Sequence, residues 1–140
     1  MGRITKYGKA GHEIHGRKAG TVMTAEFWLE DQHFVALNGG PDFKFSEAVS
    51  FIVNCESQQE IDYYWNKLGE GGDKAAQQCG WLKDKFGLSW QIVPTALAEM
   101  MNDEDTRKTD RVMTTMLKMK KLDLAKLNEA FAGQLLQESV

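Results

Sequence analysis

At 140 residues the chain is long enough for one domain with a real core and too short for two independent ones. Hydrophobic residues make up 42% and charged residues 26%, ordinary globular usage that excludes disordered and fibrous classes. The net charge of −3 is too small to steer nucleic acid or acidic lipid, and no apolar run is long enough to span a bilayer or to form a signal-peptide core after Met1.

Two cysteines, Cys55 and Cys79, are too few for a disulfide scaffold and lack metal-ligand spacing, so the expected compartment is a reducing cytoplasm. Basic residues do not interleave with aromatics as a nucleic-acid face requires.

In chain order, Arg3 to Tyr7 alternates weakly and predicts a short strand. Gly8 to Gly20, rich in glycine and charge, predicts a long mobile loop. His12 and His15 stand three apart in it, without a third ligand, and read as exposed polar residues rather than a chelate. Thr21 to Glu30 alternates clearly, with Met23, Ala25, Phe27 and Leu29 on one face and Val22, Thr24, Glu26 and Trp28 on the other. A turn at Asp31-Gln32 leads back through His33 to Asn38, completing an antiparallel hairpin that Gly39-Gly40-Pro41 ends. Glu26, inside a strong strand, is the candidate general acid or base: lining a cavity, it would be desolvated and its pKa raised, whereas facing solvent it is a surface carboxylate.

Ala48 to Val53 is apolar enough to predict a central strand. Ser57 with Glu60 has capping-box spacing, and Ile61, Tyr64, Trp65 and Leu68 form one helical stripe that Gly69 stops. Ala75 to Cys79 predicts a short turn or strand. Trp81 to Lys83 and Leu88 to Val93 then form a hairpin around the turn Asp84 to Gly87. In the second strand Leu88, Trp90 and Ile92 share one face, and Ser89, Gln91 and Val93 the other, the pattern of a small-molecule pocket wall. Cys79 has no base beside it and reads as a buried, inert thiol.

After Pro94 the chain becomes helical: a short turn over Thr95 to Met101, an acidic linker Asn102 to Asp105, and an amphipathic helix over Thr106 to Lys121 with Val112, Met113, Met116 and Met119 on one side. Asp123 caps a last helix, Leu122 staples onto Leu127, Leu124, Leu127 and Phe131 line its inner face, and Gly133 closes it, with fraying expected from Gln134.

This order of elements, with the segments VMTAEF, ALNGGPDFKF, SFIVNC, YYWNKL and CGWLKDKFGLSWQIVP, resembles the PhnB-like branch of the vicinal oxygen chelate superfamily, whose other members include glyoxalase I and bleomycin-resistance proteins. That branch is often labelled 3-demethylubiquinone-9 3-methyltransferase. The resemblance runs from Gly2 to Gly133 and implies an α+β fold of βαβββ modules with a C-terminal helical extension. It places a vicinal oxygen chelate-type domain over 1–94, with its second module at about 47–94, and makes 95–140 an extension of the same domain. It also implies that the first strand and helix of the first module are missing, and that the chain pairs as a homodimer, with modules exchanged between copies in many members.

In metal-binding relatives the ligands come from the opening and closing strands of each module. Here the resemblance puts neutral Gln91 where a glutamate is common, Ala48 or Ser50 where a histidine is expected, and Asn38 on the first closing strand. It therefore implies no metal ligands, with a divalent metal the less favoured alternative. The expected function is binding of a small organic ligand in a cavity of the curved sheet, with Asn38, Ser50, Ser89 and Gln91 as hydrogen-bonding residues and Glu26 as a catalytic base. The alternatives are a metal-dependent isomerase, dioxygenase or transferase, and a drug- or metabolite-sequestering protein. The glycine cluster Gly69 to Gly72 follows a helix and precedes none, which excludes a Rossmann-type methyltransferase.

Overall fold

The structure is a computed structural model and describes residues 2–133. Its elements are β1 (Ile4–Lys6), α1 (His12–His15), β2 (Val22–Leu29), β3 (Gln32–Leu37), β4 (Ser50–Cys55), α2 (Gln58–Gly69), a 3-10 turn (Lys74–Ala76), β5 (Trp81–Lys83), β6 (Ser89–Pro94), α3 (Ala96–Met101), α4 (Thr106–Met116) and α5 (Leu124–Ala132). They divide into two compact units, Met1–Lys44 and Phe45 onward.

The first unit is an antiparallel sheet of order β1-β2-β3. Its hairpin turns one residue earlier than expected: Leu29 pairs with Gln32, and Glu30 takes the positive φ of 51° that a tight turn demands. Phe27 and Phe34, cross-strand partners, stack with ring centroids 5.4 Å apart. No described residue of this unit is buried, and Trp28, Leu29, Val35 and Leu37 are exposed. The predicted loop Gly8 to Gly20 contains one helical turn, α1, tied down by its histidines. His15 accepts the Arg17 N–H at Nδ1 (2.9 Å) and donates from Nε2 to the Ala10 carbonyl (3.2 Å), while His12 Nδ1 meets the Arg17 carbonyl at 2.9 Å.

In the second unit β4 and β5 flank β6, β4 parallel and β5 antiparallel, with α2 as the crossover between the parallel pair. The apolar strand expected to be central is thus an edge strand among the described residues, and it starts two residues later, at Ser50. Val53 and Cys55 of β4 lie on the α2 side: Cys55, Ile61, Trp65, Leu82 and Ile92 form one core, with Val53, Leu68, Trp90 and Leu124 packed on it. The segment Ala75 to Cys79 forms no strand, only the 3-10 turn and a single bridge between Gln78 and Trp81.

Local signals act at the helix ends. Ser57 Oγ accepts the Glu60 N–H at 3.3 Å, but the Glu60 carboxylate returns to the N–H of Glu56 (2.7 Å) rather than to that of Ser57, so the capping box closes one residue upstream. Gly69 is the last residue of α2, and the left-handed turn falls on Gly71, φ 73°. Asp123 Oδ1 caps α5 by accepting the Lys126 N–H at 3.1 Å. Its replacement by alanine is expected to cost about 1 kcal/mol in urea denaturation, most of it recovered by Asp123→Asn.

The C-terminal helices build a second core from Met100, Val112, Leu122, Leu127 and Ala130. Helix α4 is shorter than the amphipathic pattern implied. Its helical run ends at Met116, because the carbonyls of Met119 and Lys120 turn aside to accept the N–H groups of Cys79 and Gly80 at 2.9 and 2.8 Å. Met119 still packs on the core, whereas Met113 is exposed. Arg111 closes the far end of α5, donating to the carbonyls of Ala130 and Phe131 at 2.8 and 2.9 Å. Residues from Gln134 onward lie outside the described residues.

The start of α4 carries a pH signature. The Arg107 side chain, then its backbone N–H, hydrogen-bonds Asp105 and holds its carboxyl below the usual range. The Asp105 N–H, then Lys108, does the same for Asp103. A depressed folded pKa stabilises above the unfolded value of about 3.9 and is lost as pH falls through the folded one. Asp105→Asn, which keeps a capping side chain, should therefore flatten the acid limb of urea midpoints measured from pH 5 to pH 3 and leave the helix content unchanged.

Candidate functional site

The two faces of the β4-β6-β5 sheet differ. One, carrying Phe51, Val53, Cys55, Trp90, Ile92 and Leu82, belongs to the α2 side, where Cys55, Leu82 and Ile92 are core. The register puts Ser50, Ser89 and Lys83 in one row across the opposite face, and Ile52, Gln91 and Trp81 in the next. Val93, further along, packs against the C-terminal core and closes that end. Ile52 is 57% exposed and Ser89 only 2%, so this face is open over one part and shielded over another.

Three of the five expected site residues meet here. Gln91 Nε2 donates to Ser50 Oγ at 2.9 Å, which orients the carboxamide and leaves its oxygen to accept and the Ser50 hydroxyl to donate. Ser89 is Ser50's strand partner. Lys83, on the same face as Trp81, was not singled out from sequence, although the alternation of the two around Leu82 on β5 carried the signal.

Asn38 and Glu26 belong to the first unit. Asn38 ties that sheet together: its side-chain amide donates to the Val22 carbonyl at 3.1 Å, and its own carbonyl accepts the Tyr7 hydroxyl at 2.6 Å. Glu26 Oε2 accepts the Arg3 N–H at 3.2 Å and lies 3.8 Å from His33 Nε2, with the Trp28 ring 4.8 Å from the His33 ring.

Ser50, Ser89 and Gln91 are neutral oxygen donors. They do not match the charged set a hard dication needs. No group of three or more His, Cys, Asp or Glu able to hold a metal occurs among the described residues. Burial, then Glu60, pushes the Cys55 thiol up, away from nucleophilic use. Cys79 is half-buried rather than buried, with a φ of 50°. The turn from β4 into α2 is Glu56-Ser57, without the glycine that brings backbone up to a nucleotide cofactor, so this strand–helix turn does not fit a Rossmann-type cofactor site.

Two other grooves lie in the second unit. One, of about 490 Å³, is lined by Gln58, Asp62, Lys118, Lys121, Asp123 and Lys126 among others; the second, of about 410 Å³, runs between Lys67, Glu70, Asp84 and Phe86. Neither is lined by Ser50, Ser89 or Gln91.

These elements define a mixed α+β protein of the glyoxalase-like kind. A family model described as 3-demethylubiquinone-9 3-methyltransferase matches residues 1–93, and the chain belongs to that PhnB-like family. A solved structure from Bacillus cereus, titled as a 3-demethylubiquinone-9 3-methyltransferase and PhnB protein, is similar at 33% identity with a TM-score of 0.54, covering 66% of this chain and 77% of its own. No curated protein matches the chain. No described helix is long and apolar enough to cross a membrane.

Proposed function

We propose that the chain binds a small organic molecule on the open face of the β4-β6-β5 sheet, and does so without a metal. The carrying observation is the Gln91–Ser50 hydrogen bond, which fixes one acceptor and one donor between the apolar side chains of Ile52 and Trp81. Few but oriented polar groups on an apolar surface are the usual composition of a ligand site. The first unit carries its own proposed polar residues, Asn38 for hydrogen bonding and Glu26, with His33 beside it, for any proton transfer. A cytoplasmic homodimer completes this reading. The exposed apolar residues of the first sheet, and its short edge strand β1, support association with a second copy, including an exchange of modules.

A thermal-shift panel of small metabolites and drug-like aromatics tests this reading, with metal analysis of the same preparation. Saturable stabilisation by a member of the panel, abolished in Gln91→Ala and unaffected by chelator, is the expected result. Stoichiometric metal that is lost with Gln91→Ala would point instead to the metal-dependent enzymes of the superfamily.

A further inference from the structure

The ion pair between Lys83 and Glu47 lies at the same face and has no part in the reading above. Glu47 precedes β4 on one flank of the sheet, and Lys83 ends β5 on the other, so the pair reaches across β6 at the Ser89 end. At that end Ser89 is 2% exposed, on a face where Ile52 is 57% exposed.

The two partners are not equivalent. The Lys83 side chain is 24% exposed and its position is fixed by the strand, whereas Glu47 is 66% exposed on the preceding loop. Lys83 lowers the Glu47 pKa chiefly through its hydrogen bond, so at neutral pH the partner is a carboxylate. Releasing an exposed carboxylate to water costs little, because exposed ion pairs contribute little. A ligand carboxylate in its place would keep the ammonium paired and add the Ser50 hydroxyl in the same row.

We infer that Glu47 is a built-in stand-in for a ligand's acid group, and that the ligand is a small monocarboxylic acid with a flat apolar body. The acid takes Lys83 at the Ser50–Ser89–Lys83 row, and the body lies over Ile52, Gln91 and Trp81 in the next. Strand neighbours about 4.8 Å apart and successive same-face residues about 7 Å apart give a platform the size of one fused aromatic ring system. This inference rests on the proposed ligand site and adds the ligand's charge and shape.

The test uses naphthoate and its uncharged amide, naphthamide, titrated calorimetrically into the full chain and its variants Lys83→Met, Glu47→Gln and Gln91→Ala. On the native chain naphthoate should bind about tenfold more tightly than naphthamide, a preference that shrinks with added salt. Lys83→Met should erase the preference by weakening naphthoate alone. Glu47→Gln should strengthen naphthoate about threefold and leave naphthamide unchanged, a gain that misfolding cannot mimic. Equal binding of both compounds, or a preference that survives Lys83→Met, overturns the acid inference while the open-face site stands. Binding that Gln91→Ala leaves intact for both compounds overturns the site itself, and binding of neither overturns both.

Discussion

Replacing Gly72 by alanine is expected to destabilise the protein by about 3 kcal/mol or more, although the substitution removes a flexible residue from a loop. An added Cβ would stand 2.0 Å from the Lys83 carbonyl oxygen, with the carbonyl carbons of Lys83 and Asp84 at 3.1 and 3.2 Å. Those are backbone atoms at the end of β5, where Lys83 is paired with Ser89 of β6, so they cannot step aside as a side-chain tip would. The usual gain from restricting the unfolded chain, about 0.4–1 kcal/mol, is far too small to offset the clash. Gly69, three residues earlier, should respond with the opposite sign. It ends α2, its added Cβ would meet only the tips of Gln77 and Leu82 at 3.6 and 3.7 Å, and alanine there should stabilise by about 0.5 kcal/mol. Guanidinium unfolding of the two variants, followed by tryptophan fluorescence, checks both signs in one experiment.

Leu122→Ala is expected to cost about 3–4 kcal/mol. Leu122 is 0% exposed and is packed with Leu127 and Val112, so truncation leaves a cavity that rigid neighbours fill poorly. It also stands next to Gly80, whose added Cβ would lie 3.0 Å from Leu122 Cδ1, at the point where Met119 and Lys120 pair with the Cys79-Gly80 turn. The contrast is Leu117, 56% exposed, where alanine should change stability by less than about 0.5 kcal/mol. Equal effects at the two leucines would contradict the assignment of the C-terminal core.

The sequence was most legible where the cause is local. Alternation fixed β2 and β6, Ser57 and Asp123 marked helix starts, and Gly133 takes the positive φ of 79° expected of a helix stop. It was less legible where a distant partner decides. Glu30 rather than Asp31-Gln32 carries the hairpin turn because the cross-strand register with Gln32 demands it. Met119 leaves the predicted helix because Cys79 supplies a donor for its carbonyl. The apolar run that suggested a central strand comes from one face packed on α2, and it does not tell which neighbours the strand has.

The candidate site followed the same division. Alternation put Ser89 and Gln91 on one face, and the family resemblance added Ser50, but only the parallel register brings Gln91 and Ser50 into contact across 41 positions of sequence. Lys83 and Trp81 became visible with the β5 register, and Glu47 through its reach to Lys83. Glu26 and Asn38, drawn from the other module, make their described contacts within the first unit.

The central claim is that small molecules bind on the Gln91 face of the second sheet. The most direct measurement is a nuclear magnetic resonance titration of isotope-labelled protein with a stabilising compound from the panel, following backbone and side-chain amides. Saturable shifts concentrated at Ser50, Ile52, Trp81, Ser89 and the Gln91 carboxamide are the expected result. Shifts confined to the groove around Gln58, Asp62 and Lys121, with Gln91 unmoved, would contradict it.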